Sequence, residues 1–206
     1  MNDKPWFASY DKGVPQTFEI PQVPLFHFLE EAARKYPDRA CTIFKGAVIS
    51  FKEINAVSDS IAAALVDMGV KKGDRVGIFM PNTPQFVMTY FGILKAGGVV
   101  VATNPLYTPP EIEHQASDAG IEYMFVMTNF YETIKKAQPK TKIKKMIVTN
   151  LKETLPPVLR VLFTLAREKK GGFRIEGGLR DGDIWFQDLL AKYKDSPRPK
   201  LEIAPD

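Results

Sequence analysis

From Ile54 to Thr149 two kinds of apolar pattern alternate, and this limits the available folds more than any other feature of the chain. Ile54, Val57, Ile61, Ala64, Leu65 and Met68 fall on one face of a helix that stops at Gly69. The run RVGIFM then reads as a strand. Phe86, Val87, Tyr90, Phe91 and Leu94 line the next helix, and GVVVA is the next strand. Glu111 to Asp118 is helical, IEYMFV a strand, Tyr131 to Ala137 a helix and KKMIVT a strand. Such repeats require right-handed crossovers, so the fold class is α/β: a mainly parallel sheet with helices on both faces. The unbroken apolar run Val99–Ala102 predicts a central strand of that sheet.

Other segments flank this core. Residues 1–23, rich in proline and aromatics, read as an extended N-terminal arm. A helix begins at Pro24, where the missing N–H costs nothing, and ACTIF and AVISF around Lys45-Gly46 read as a hairpin. The α/β subdomain therefore spans 24–150. After Asn150 the rhythm breaks, and residues 151–195 form an amphipathic helical insertion. Leu155, Val158, Leu159, Val161, Leu162, Phe163, Leu165 and Ala166 cover more than half of a helical wheel there. Arg160, Thr164 and Arg167 hold the other side, and Lys169 and Lys170 follow. A wide apolar face with a basic edge suits a helix in a membrane interface, and equally one packed on its own protein. DIWFQDLLAKY reads as a short amphipathic helix, and residues 196–206 as a proline-rich linker.

Composition and motifs exclude several functions. Hydrophobic residues make up 45% and charged residues 25% of 206, enough apolar material for a packed core. A net charge of +4 is too mild for a dedicated nucleic-acid binder. Cys41 is the single cysteine and reads as a buried small hydrophobe. His27 and His114 lie far apart without the spacing of metal ligands. The N-terminus lacks the apolar region of a signal peptide, and Pro81 to Gln85 break the uncharged stretch Val76–Leu94, which argues against a membrane span. Gly97 and Gly98 precede a strand, whereas a phosphate loop opens a helix, so they read as a helix stop. No nucleotide-binding or nucleophile motif occurs. Asp67 and Asp74, and Asp181 and Asp183 around Gly182, read as solvated turn residues. No catalytic residue and no metal ligand is assigned.

Several blocks nonetheless resemble a known family. PWFASYDKGVP, the stretch from ISFKEI to HQASDAG with LKAGGVVVATNP inside it, and the closing LEIAPD look like the N-terminal third of the adenylate-forming enzymes. Within that superfamily the chain is most similar to the long-chain fatty acid–CoA ligases, or acyl-CoA synthetases. The resemblance covers most of residues 5–150. It implies two half-reactions: ATP and a fatty acid give an acyl-adenylate and pyrophosphate, then CoA displaces AMP. It also implies a Ser/Thr/Gly-rich phosphate loop ending in Lys-Gly, a Thr-Glu pair, a ribose-binding Asp and a C-terminal lysine, none of which occurs here.

In relatives that loop starts shortly after a segment like LEIAPD. The resemblance thus implies a fragment, inactive alone, whose partners are the missing remainder, the fatty acid and CoA. ATP, CoA and Mg2+ are the cofactors expected of the parent enzyme, none of them held strongly by the fragment. Thr103 to Tyr107 is expected near the CoA channel, with Asn104, Pro105 and Leu106 at its edge, unless Asn104-Pro105 simply turns the chain. Because such ligases draw acids from membranes, Leu155, Leu159, Arg160, Leu162, Phe163, Arg167, Lys169 and Lys170 become expected membrane contacts. The implied location is cytoplasmic, peripheral at the inner face of the plasma membrane, and a homo-oligomer is expected. Two rivals stay open: a CoA ligase for another carboxylic acid, and a non-catalytic membrane-peripheral or interaction module.

Overall fold

The hairpin comes first in the chain's logic, because it delivers the main helix. In the computed structural model, which describes residues 4–203, β1 (Ala40–Phe44) and β2 (Ala47–Ser50) pair antiparallel. Lys45 and Gly46 both have positive φ, 47° and 82°, the geometry of a two-residue turn that matches strand twist. Ser50 ends β2 and caps α2 (Phe51–Asp67): its hydroxyl accepts from the Glu53 N–H, and the Glu53 carboxylate accepts from the Ser50 N–H. The ISFKEI block is thus a capping box that turns strand into helix.

The sheet behind it contains β3 (Arg75–Phe79), β4 (Val99–Ala102), β5 (Tyr123–Met127), β6 (Lys145–Thr149) and β7 (Ile184–Trp185). Their order is β4-β3-β5-β6-β7, and every neighbouring pair is parallel. Alternate side chains serve opposite faces. Val76, Ile78, Phe125, Met127 and Ile147 meet α1 (Phe26–Lys35), α2, α3 (Pro84–Lys95) and α7 (Phe186–Lys192). Phe79, Met124, Val126, Met146 and Val148 meet α4 (Pro109–Ala119) and α5 (Tyr131–Ala137). The expected α/β class with both faces covered is present.

Three expectations are corrected. β4 is an edge strand, not a central one, and Val99 is 48% exposed. Its valines are apolar because helices flank both faces, a demand that does not reveal whether a strand has one neighbour or two. Second, Ile184 and Trp185 are strand, pairing with Ile147 and Val148, so only Phe186–Lys192 of DIWFQDLLAKY is helical. Two residues are too few for periodicity to register. Third, Asp183 is not a solvated turn residue, since its side chain is fully buried. It accepts from the Met146 N–H (2.7 Å) and the Tyr131 hydroxyl (2.8 Å) and pairs with Lys135 (2.7 Å). These bonds hold the loop that feeds β7.

Gly97 and Gly98 close α3 as expected. The Gly97 N–H reaches the carbonyl of Leu94, the Gly98 N–H reaches that of Ile93, and Gly97 has φ 78°. This is the paired closure that a left-handed residue permits. Part of the closing LEIAPD block packs here: Lys72 Nζ donates to the Glu202 carbonyl, and Leu201 lies beside Gly97. Arg198 in the linker pairs with Glu30 at 2.7 Å. Residues 1–3 of the arm and 204–206 of the linker lie outside the described residues.

Candidate functional site

All five strands run the same way, so their carboxyl ends share one edge. The direction in which the chain winds across the sheet reverses between β3 and β5, because β4 lies to one side of β3 and β5 to the other. Ligands of doubly wound sheets bind outside the carboxyl ends of the strands at such a switch point. Thr103 follows β4, while Thr128 and Asn129 follow β5. The buried hydroxyls of Thr103 and Thr128 and the carboxamide oxygen of Asn129 have no partner among the described residues. Three of the six such atoms among the described residues thus lie along this edge, and the others belong to Thr42, Thr89 and Gln115 on β1, α3 and α4.

The sequence-predicted loop residues stand on the same edge and divide by role. Asn104 holds the turn: its carboxamide oxygen accepts from the Leu106 N–H at 3.0 Å, and its carbonyl accepts from Tyr107. Pro105 is half-buried, whereas Leu106 is 86% exposed. Asn150, at the end of β6, is occupied structurally, donating to Glu168 and to the Phe173 carbonyl. Thr128 and Asn129 escaped sequence reasoning, because only strand order brings them to the edge where Thr103 stands.

Elsewhere, burial raises the Cys41 thiol above its ordinary range, which disfavours a thiolate nucleophile. Among the described residues no cluster of His, Cys, Asp and Glu has the arrangement of a metal site. The three unpaired atoms at the edge are neutral oxygens, and no catalytic step is assigned to them.

A second region surrounds α6 (Pro157–Ala166), reached through a short turn, Leu151–Thr154. Leu155 is buried beneath it, and Phe163 packs edge-on against Phe173 with ring centroids 5.2 Å apart. Leu159 and Leu162 are exposed on its flank. The Arg160 guanidinium donates to the carbonyls of Lys152 (3.1 Å) and Glu153 (2.9 Å), while Arg167, Lys169 and Lys170 are exposed. No helix among the described residues is long and apolar enough to cross a membrane.

A parallel sheet wound in both directions from β3 places the chain in the doubly wound α/β class. The crystal structure of the anthranilate CoA ligase AuaEII in complex with anthranoyl-AMP shares this fold. Its TM-score is 0.70 at 19% identity, over 91% of this chain and 31% of that one. The chain belongs to the family of AMP-binding enzymes, whose family model matches residues 29–171. It is 34% identical to a long-chain-fatty-acid–CoA ligase of Bacillus subtilis over 170 residues, 82% of this chain and 30% of the relative. A long-chain-fatty-acid–CoA ligase of Haemophilus influenzae is 36% identical over 205 residues, 97% of this chain and 36% of the relative. The chain thus spans about a third of the length of these relatives.

Proposed function

We propose that these residues are the N-terminal part of a long-chain fatty acid–CoA ligase. The parent joins a fatty acid to CoA through an acyl-adenylate, releasing AMP and pyrophosphate. The observation that carries this reading is the 36% identity to the Haemophilus influenzae ligase across nearly the whole chain. ATP, CoA and Mg2+ are then held by the remainder of the parent, and this part supplies one wall. Thr103, Thr128 and Asn129 meet that remainder, with Leu106 beside them at the edge of the CoA or acyl channel. The codons that follow Asp206 test the reading. A Ser/Thr/Gly-rich loop ending in Lys-Gly is expected shortly beyond Asp206. A stop codon would overturn it in favour of a non-catalytic module.

Contact with a membrane surface belongs to the same proposal. It is supported by the outward row Val158, Val161 and Leu165 on α6, with Arg167, Lys169 and Lys170 beside it. An apolar row edged by cations suits the interface of an anionic leaflet, where each cation contributes about 1 kcal/mol. Flotation with anionic vesicles is expected, and Arg167→Glu/Lys169→Glu should lower it several-fold; equal flotation would contradict the contact. Arg160 is tied to backbone carbonyls and is expected to matter little.

A further inference from the structure

Behind the outward row, α6 has a second apolar row that faces a groove. Leu155, Leu159, Leu162 and Phe163 line it, and its volume is about 660 Å³. Among the described residues its charged lining is Lys45, Arg167 and Lys170, with no carboxylate. The hairpin forms part of the wall through Lys45. Lys45 occupies the left-handed region at φ 47°, where Asn or Gly would be favoured. The hairpin therefore delivers a cation to this rim despite a backbone preference against it.

Shape decides between occupants. Val158, Val161 and Leu165 do not line the groove, and a flat bilayer meets that convex row. A concave apolar slot with cations at its rim fits a single apolar chain with an anionic head. We infer that the groove binds one long-chain monocarboxylate, its chain along Leu155, Leu159, Leu162 and Phe163 and its carboxylate among Lys45, Arg167 and Lys170. Its role as a surface site for the acid substrate rests on the ligase reading; the binding itself does not.

Calorimetric titration of the 206-residue chain with dodecanoate below its micellar concentration, without vesicles, tests this. One saturable site is expected, with dodecyltrimethylammonium binding about tenfold more weakly or worse, since its head repels the rim. Lys45→Glu and Lys170→Glu should each weaken dodecanoate severalfold with unchanged circular dichroism. Leu165→Ser, on the outward row, should leave dodecanoate binding as it is. Absence of a saturable site, equal affinity for the two amphiphiles, or indifference to both charge reversals would overturn the inference. A stop codon after Asp206 would remove the ligase reading without touching this result, and failed titration would leave that reading standing.

Discussion

Lys95 places its ammonium between α2 and α3 with no part of the side chain exposed. Its partners are Asp59 Oδ1 at 2.7 Å, Asn55 Oδ1 and Ser58 Oγ at 2.8 Å, and the Asn55 carbonyl at 3.3 Å. Burial lowers its pKa, and Asp59 opposes that shift. Removing one partner of a buried pair leaves the other uncompensated, so Lys95→Ala should cost about 3 kcal/mol, read as a lower urea midpoint. In the sequence Lys95 is an ordinary last-turn lysine, and only the crossing of two helices identifies it as a core residue. Glu153 is the opposite case. Burial raises its carboxyl pKa, although bonds from Thr149 (2.6 Å) and Gln187 (3.1 Å) stabilise the anion. A raised folded pKa gives stability that is present below the unfolded value and lost as pH rises through the folded one. Glu153→Gln keeps both acceptor bonds and removes that loss. It should therefore raise the urea midpoint at about pH 7.5, with the gain shrinking towards about pH 4. A gain that grows on acidification would contradict this.

At the scale of elements, the α2–α3 crossing depends on Gly92. A Cβ there would lie 2.5 Å from Ile61 Cγ2 and 2.6 Å from Ile61 Cβ. Gly92→Ala should destabilise by about 1–3 kcal/mol through overpacking, and an unchanged urea midpoint would show that the helices adjust freely. The elements whose signals are local were legible before the structure. The helix stop at Gly97, the hairpin at Lys45-Gly46 and the long apolar faces of α2 and α3 can each be read from neighbouring residues. What could not be read depends on distant partners. β4 lies at the edge because β5 crosses back over β3, and β7 exists because Asp183 is drawn under the sheet by Tyr131, Lys135 and Met146. The candidate site divides the same way. Thr103 to Tyr107 was visible as a strand exit, while Thr128 and Asn129 join that edge only through strand order.

As a whole molecule the chain has two unfinished surfaces: the carboxyl edge with its unpaired oxygens, and the apolar row of α6. Exposed apolar patches of this kind favour association, so light scattering should report a dimer or larger species. A strictly monomeric chain at high concentration would show that these surfaces are content in water. On the ligase reading the first surface meets sequence joined to this part, which carries the chemistry, and the second meets a membrane. Fatty-acid-dependent ATP–pyrophosphate exchange tests that reading directly, with the 206-residue chain compared against the product of its whole reading frame. Exchange is expected from the whole product, and none above the enzyme-free blank from the 206 residues alone. Exchange by the 206 residues, or none by the whole product, would contradict it.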